Sequence, residues 1–77
     1  MDLSIVISVF NEEDSLEELI SGIHRELTPT GLGYEIIMID DGSTDHSWKI
    51  IKEMALIERR IRGISFRRNY GKSAAIY

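Results

Sequence analysis

The sequence predicts an α/β fold in which three parallel strands alternate with helices in the order β-α-β-α-β-α. Three short apolar runs rich in isoleucine and valine have the length of buried strands. The segments that follow the first two runs carry apolar residues at helical spacing. Strands joined by helical crossovers lie parallel, and the crossovers are right-handed. We therefore expect the 77 residues to form one small α/β unit.

The first strand is predicted over Ser4–Phe10, followed by a turn over residues 11–14. Ser15 and Glu18 have the spacing of a capping box, which indicates that a helix begins there. Pro29 and the glycines of Thr28–Gly33 end that helix. Its apolar face is formed by Leu16, Leu19, Ile20, Ile23 and Leu27.

The second half of the chain repeats this pattern. The second strand is Tyr34–Ile39, the third is Ile61–Phe66, and a helix between them runs from about Asp45 to Glu58. The N-cap of that helix is Ser43, Thr44 or Asp45, and its buried residues are Trp48, Ile51, Met54 and Ala55. A third helix is expected to begin in the segment Tyr70–Tyr77. No C-cap residue follows this third helix in the sequence. We therefore expect the chain to be the front part of a longer domain.

Composition narrows the class of protein. Hydrophobic residues make up 43% and charged residues 29%, as in a soluble globular segment. Cysteine is absent, which excludes disulfides and thiolate metal sites. The apolar run at Leu3–Phe10 is far shorter than the roughly 20 residues of a membrane span, and no signal peptide is recognisable. All 13 acidic residues precede residue 59, and the basic residues Arg59, Arg60 and Arg62 are interpreted as solvated.

Two phosphate-binding motifs are excluded by their position. Gly31 and Gly33 precede a strand instead of following one, which does not fit a dinucleotide fingerprint. Gly71-Lys72-Ser73 would need a glycine where Phe66 stands to form a Walker A loop. Phosphate recognition by either motif is therefore not predicted.

Polar groups follow each of the three predicted strands and reach one edge of the sheet. They lie at Phe10–Glu13, at Asp40-Asp41 and at Arg67–Asn69. Ligands of open α/β sheets bind at this edge. The carboxylates of Asp41 or Glu12 suit N–H and O–H donors, such as those of a nucleobase or a ribose. Phe10 offers an apolar face, and residues 69–72 offer backbone N–H groups and a cation for a diphosphate. Together they predict a nucleotide pocket.

Residues 4–13, 34–45 and 68–75 resemble the opening of family 2 glycosyltransferases. The resemblance covers essentially the whole chain. It is strongest to the dolichyl-phosphate mannose synthases and the polyprenyl-phosphate (bactoprenol) sugar transferases. It implies a Rossmann-like fold, the donor-binding half of a glycosyltransferase A fold, truncated here, with strand order 3-2-1. The domain expected over residues 1–77 is the N-terminal nucleotide-sugar-binding part of a glycosyltransferase.

The resemblance also implies a set of donor-binding residues. The turn after the first strand would contact the nucleoside, and one aspartate would hold its base or ribose. One departure is a serine at position 8, where the family usually has proline. The implied residues are Ser8, Phe10, Glu12, Ile39, Asp41, Asn69, Gly71 and Lys72.

The implied activity is inverting transfer of a sugar from a UDP- or GDP-sugar to an acceptor such as a polyprenyl phosphate at the membrane. Mg²⁺ or Mn²⁺ would neutralise the leaving diphosphate. Its ligands, an Asp-x-Asp motif, and the catalytic residues would lie beyond Tyr77, so neither is expected in this segment. The complete protein would be cytoplasmic and membrane-associated, with no nucleic-acid partner.

Two other interpretations stay open on the sequence alone. The first is a non-catalytic binding module of flavodoxin or receiver type, with Asp40-Asp41 as a cation or phosphoacceptor site. The second is an inactive truncated fragment.

Overall fold

The computed structural model of the chain describes residues 2–66 and 74–76. It contains four strands, two α-helices and a short 3-10 helix at Thr28–Thr30. The strands and α-helices are β1 (Leu3–Val9), α1 (Leu16–Leu27), β2 (Tyr34–Asp40), α2 (Ser47–Ile57), β3 (Ile61–Phe66) and β4 (Ala74–Ile76). In this part of the chain, no helix is long and apolar enough to cross a membrane.

The four strands form one sheet in the spatial order β1-β2-β3-β4. β2 pairs in parallel with β1 on one side and with β3 on the other. Ile36 of β2 lies beside Ile5 of β1 and Ile61 of β3. The predicted β-α-β-α-β order, the parallel pairing and the 3-2-1 strand order are therefore confirmed.

The end of the chain differs from its prediction. A helix was expected over Tyr70–Tyr77, but Ala74–Ile76 form strand β4, antiparallel to β3, with Ile76 opposite Ile64. The outer edge of β3 would otherwise present unpaired N–H and C=O groups, and pairing with β4 satisfies them. This tertiary pairing outweighs the helical propensity of the two alanines. Residues 70–73 and 77 lie outside the described residues.

The start of α1 also differs from its prediction. Ser15 occupies the N-cap position, as predicted, but its side chain makes no capping hydrogen bond. The Ser15 hydroxyl instead donates to the carboxylate of Glu12 at 2.8 Å. The reciprocal capping box with Glu18 is therefore wrong. Ser15 has φ of −113° and ψ of −9°, a helical backbone and not the extended one from which an N-cap oxygen accepts the N3 amide.

Both α-helices pack on the same face of the sheet. Along β2, buried and half-buried residues alternate, and the buried ones face the helices. Of the four residues of α2 predicted to be buried, Trp48 and Ile51 are buried, whereas Met54 and Ala55 are half-buried. The opposite sheet face carries no helix in the described residues, and Val6 and Phe66 are 61% and 46% exposed. The core comprises Val9, Leu16, Ile20, Tyr34, Ile36, Met38, Trp48, Ile51 and Ile61.

Gly63 of β3 allows α2 to approach the sheet closely. A Cβ atom added at Gly63 would lie 2.5 Å from Cγ2 of Ile51 and 3.1 Å from Cζ3 of Trp48. Those separations are shorter than van der Waals contact, so a side chain here would displace α2. The missing side chain thus sets how closely α2 lies against β3.

Candidate functional site

The candidate site lies where β1 and β2 end. Phe10 is the first residue after β1, and Asp41 is the first residue after β2. The amide of Asp41 donates to the carbonyl of Val9 at 3.0 Å, which continues the strand pairing one step beyond β2. The backbones that carry Phe10 and Asp41 are therefore neighbours at the carboxyl edge of the sheet, as the sequence predicted.

Adjacent residues at this edge face opposite ways. Val9 and Asp40 are each 1% exposed, whereas Phe10 is 58% exposed and Asp41 is also exposed. This follows from the two-residue period of a strand. Of the two neighbouring aspartates, Asp41 is exposed at the edge, while Asp40 belongs to the buried face.

Ser8 and Ile39 lie two residues before Phe10 and Asp41, respectively, in β1 and β2. They are register partners between β1 and β2, so their side chains lie on one face. That face carries no helix among the residues that the structure describes, and Ser8 is exposed while Ile39 is half-buried. Strand alternation places Phe10 and Asp41 on the same side. Four of the predicted donor-binding residues are thus brought together.

Glu12 lies in the turn after β1 and is exposed. Its amide donates to the hydroxyl of Ser47 at 2.8 Å, and its carboxylate accepts from Ser15. The backbone of Glu12 is therefore fixed, and its carboxylate lies at the surface beside the edge. The other three predicted residues, Asn69, Gly71 and Lys72, lie outside the described residues.

Two loops are joined by side-chain hydrogen bonds beneath this edge. We call the contact between the first loop (residues 10–15) and the second loop (residues 41–46) the loop junction. The amide of Asn11 donates to the hydroxyl of Ser43 at 2.9 Å. The side-chain oxygen of Asn11 accepts from the amides of Thr44 and Asp45 at 2.8 and 3.3 Å. The residues after β1 and those before α2 are thereby held in one arrangement.

Asp45 anchors the other end of the loop junction and the start of α2. Its carboxylate accepts from the amide of Ser47 at 2.8 Å and from the amide of Glu13 at 3.3 Å. The first bond leads the chain into α2, but the N-cap position is His46, which makes no side-chain capping hydrogen bond. The prediction of Ser43, Thr44 or Asp45 as the N-cap is therefore wrong. Glu13 in turn accepts from the amide and ring nitrogen of His46 at 3.1 and 2.9 Å.

The pKa of Asp45 is lowered from its ordinary value. Partial burial of the carboxyl acts in the opposite direction, and it is outweighed by hydrogen bonds from the side chain and backbone of Ser47 and from the backbone of Glu13. The charge of His46 adds to the lowering. The ionised form of Asp45 is therefore the one that the folded loops stabilise.

A pH titration of stability checks this arrangement. Because the folded-state pKa of Asp45 lies below its unfolded value, its stabilisation is present above about pH 4 and is lost as the pH falls through the folded pKa. We expect Asp45→Asn to flatten the acid limb of the unfolding free energy measured by urea denaturation between pH 7 and pH 2. Asp14→Asn, at an exposed acid of the first loop, is the control. Equal acid limbs for wild type and Asp45→Asn would contradict the assignment.

The sequence did not reveal the loop junction. Asn11 and Ser47 form hydrogen bonds with residues about 30 positions away, and a local pattern does not show such partners. One signal was present for Asn11, which has φ of 49°. Asparagine adopts this left-handed backbone more readily than most residues, and here it is the second residue after β1.

Two buried polar atoms stand beside the site on the helix-covered face. Asp40 and Ser65 are register partners between β2 and β3, and they are 1% and 0% exposed. Within residues 2–66 and 74–76, neither Oδ1 of Asp40 nor the hydroxyl of Ser65 has a hydrogen-bond partner. Buried groups without partners destabilise a fold, so the two atoms are a stability penalty near the edge.

A groove of about 500 Å³ lies elsewhere, between Ile5 of β1 and one side of α1, including Leu19, Gly22 and Ile23. It does not include the predicted donor-binding residues. Across the described ranges, 2–66 and 74–76, no three acidic or histidine side chains gather as a metal site.

The fold and the edge together define a Rossmann-like α/β segment of the class that binds ligands at the carboxyl ends of parallel strands. The sequence profile described as "Glycosyl transferase family 2" matches residues 4–77. The chain belongs to glycosyltransferase family 2. This membership favours a glycosyltransferase over the flavodoxin-like module that the sequence alone left open.

Several relatives are similar over nearly the whole chain. The undecaprenyl-phosphate 4-deoxy-4-formamido-L-arabinose transferase of Aeromonas hydrophila is 43% identical over 96% of the chain. The uncharacterized glycosyltransferase sll0501 of Synechocystis is 41% identical over 99%, and the uncharacterized glycosyltransferase YkcC of Bacillus subtilis is 38% identical over 95%. The matches cover 24%, 23% and 23% of the Synechocystis, Aeromonas and Bacillus proteins. The chain thus spans about a quarter of the length of these relatives.

Proposed function

We propose that this chain is the donor-nucleotide-binding part of an inverting glycosyltransferase. The observation that carries the proposal is the exposed pair formed by Phe10 and Asp41 at the carboxyl edge of the sheet. Family membership supports the reaction class, and the position of the pair supports the ligand class. The ligand is the nucleotide of a UDP- or GDP-sugar.

The chemistry of the edge fits a nucleoside. An ionised carboxylate only accepts hydrogen bonds, so Asp41 pairs with the N–H of a base or the hydroxyls of a ribose. The ring of Phe10 provides a surface on which a base can stack, and base–aromatic stacking is worth about 1–3 kcal/mol. Ser8 and Ile39 form the floor beside them, and Glu12 offers a second carboxylate.

The diphosphate is assigned to a different part of the chain. Asn69, Gly71 and Lys72 follow β3 in the sequence and lie outside the described residues. A glycine-containing segment with a lysine offers backbone N–H groups and a positive charge, which suit phosphate oxygens. These three residues are therefore proposed as contacts to the diphosphate of the donor.

In the whole protein, an acceptor oxygen would attack the anomeric carbon of the sugar while the nucleoside diphosphate leaves from the opposite side. The configuration at that carbon inverts, the new glycosidic bond forms, and the bond to the diphosphate breaks. A divalent cation, Mg²⁺ or Mn²⁺, supplies charge neutralisation for the leaving group when it is bound. Several relatives are named for transfer to undecaprenyl phosphate, so we propose a polyprenyl phosphate acceptor. The whole protein would then work at the cytoplasmic surface of a membrane.

Titration of UDP and GDP into the chain tests the proposal, followed by amide NMR shifts so that weak binding is measurable. We expect one of the two to bind and to shift the amides of residues 10–12 and 41. Asp41→Asn replaces an acceptor with an N–H donor, and the dissociation constant should rise at least about tenfold, from the loss of one charged hydrogen bond.

Asp14→Asn is the matched control for this experiment. It removes the same charge from an exposed residue of the first loop that lies outside the proposed pocket. Its dissociation constant should stay within about twofold of wild type, since distant exposed charges are screened. Absence of binding by either nucleotide, or binding by Asp41→Asn equal to wild type, would refute the proposed function.

A further inference from the structure

Asn11 is the one described residue other than glycine with a positive φ, at 49°. It is exposed, so burial of its side chain does not account for its presence. Its side-chain oxygen accepts three hydrogen bonds from the second loop, from the amide of Thr44 at 2.8 Å, the amide of Asp45 at 3.3 Å and the hydroxyl of Thr44 at 3.4 Å. Its own amide donates to the hydroxyl of Ser43 at 2.9 Å.

Asn11 is placed to control the distance between the two proposed ligand contacts. It directly follows Phe10 in the first loop, and its hydrogen-bond partners begin two residues after Asp41 in the second loop. The amide of Asp41 donates to the carbonyl of Val9, which joins the ends of the two strands. The hydrogen bonds of Asn11 join the two loops that follow. A change at Asn11 therefore alters the spacing of Phe10 and Asp41 without removing either side chain.

We propose that Asn11 is a positioning residue for nucleoside recognition, which holds the ring of Phe10 and the carboxylate of Asp41 at the separation that one nucleoside fills. The inference rests on the proposed function. A pocket formed by two loops binds tightly only when both loops are already in the bound arrangement, because ordering them on binding opposes affinity. Asn11 provides that order in the free protein through the loop junction.

Two substitutions distinguish the effect of the side chain of Asn11 from the effect of its backbone conformation. Asn11→Gly keeps the positive φ, which glycine adopts freely, and removes the acceptor oxygen. Asn11→Asp keeps an acceptor oxygen and a residue type that tolerates this backbone. Ser4→Ala is the control, since it removes one exposed side-chain hydrogen bond, to Glu35 at 2.7 Å, at the opposite end of the same strand pair.

The experiment measures the dissociation constants of UDP and GDP for the chain by NMR titration, and the folded fraction of each variant by circular dichroism. Each dissociation constant is calculated per folded molecule and is called the corrected constant. A purely structural role for Asn11 would lower the folded fraction and leave the corrected constant unchanged. A positioning role raises the corrected constant for Asn11→Gly by about tenfold, the effect of losing well-formed hydrogen bonds.

The remaining variants complete the test. Asn11→Asp should recover to within about threefold of wild type, and Ser4→Ala should stay within about twofold, since neither loses the acceptor at position 11. A corrected constant for Asn11→Gly that equals wild type overturns the positioning role alone. If the wild-type chain binds neither nucleotide, the proposed function and this inference are both overturned. The failure of the positioning role is therefore distinguishable from the failure of the proposed function.

Discussion

Replacing Gly63 with alanine is expected to lower the free energy of unfolding by about 1–3 kcal/mol, the usual penalty of overpacking a filled core. The new Cβ would lie 2.5 Å from Cγ2 of Ile51 and 3.1 Å from Trp48. Both neighbours are buried, with Ile51 0% and Trp48 5% exposed, so neither can move into solvent without losing contacts. Urea denaturation followed by circular dichroism measures the change.

Gly22→Ala is the matched control, because it adds the same methyl group to a glycine of a helix instead of a strand. Gly22 lies inside α1, and a Cβ there meets nothing within 4 Å. This substitution should raise the unfolding free energy by up to about 1 kcal/mol, since alanine is the better helix former. Equal changes at the two glycines would contradict the packing argument.

A double-mutant cycle identifies the contact responsible. Ile51→Ala removes Cγ2, the atom closest to the added methyl group. Gly63→Ala should therefore be less destabilising in the Ile51→Ala background than in wild type, with a coupling of about 0.5–3 kcal/mol, as found for residues in direct contact. Strict additivity would show that the penalty has another origin.

Two buried serines are expected to respond to alanine with opposite signs. Ser47 and Ser65 are both 0% exposed. The hydroxyl of Ser47 accepts from the amide of Glu12 at 2.8 Å, whereas the hydroxyl of Ser65 has no hydrogen-bond partner within residues 2–66 and 74–76. Ser47→Ala leaves that amide without its partner and should lower the unfolding free energy by about 1–3 kcal/mol.

Ser65→Ala removes a buried hydroxyl that has no partner among the described residues. The penalty of keeping that group from water disappears, so we expect the unfolding free energy to rise, by up to about 1 kcal/mol. The two variants share the same change in volume, and their comparison isolates the hydrogen bond. Similar losses at both positions would show that cavity formation dominates.

The parallel sheet was predictable because each strand is an uninterrupted apolar run followed by a helical pattern. Ile61–Phe66 has the predicted bounds, and the other elements of the β-α-β-α-β segment differ by one or two residues at their ends. Helix and strand ends depend on local hydrogen bonds that propensity does not specify. The carboxylate of Asp45, for example, lies before α2 and accepts from Ser47 at its first position.

Strand β4 was not predictable in this way. Two alanines favour a helix, and the competing free edge of β3 is a tertiary feature that the sequence of residues 70–77 does not contain. The capping box at Ser15 failed because the backbone of Ser15 is helical, which the sequence pattern does not specify.

The candidate site was predicted in part. The placement of Phe10 and Asp41 follows from strand ends and parallel pairing, both of which the sequence indicated. The loop junction was missed, because the partners of Asn11 are 32–34 residues away. Side-chain bonds at such separation follow from the folded arrangement of two loops.

The opposite orientations of Asp40 and Asp41 constrain how this chain can change length during evolution. A single inserted or deleted residue within Tyr34–Asp40 would turn the strand over beyond that point, sending Asp41 into the core and Asp40 outward. Changes of two residues restore the orientation, and changes in the turn at Gly31–Gly33 leave it untouched. Single-residue insertions and deletions should therefore be tolerated before β2 and excluded within it.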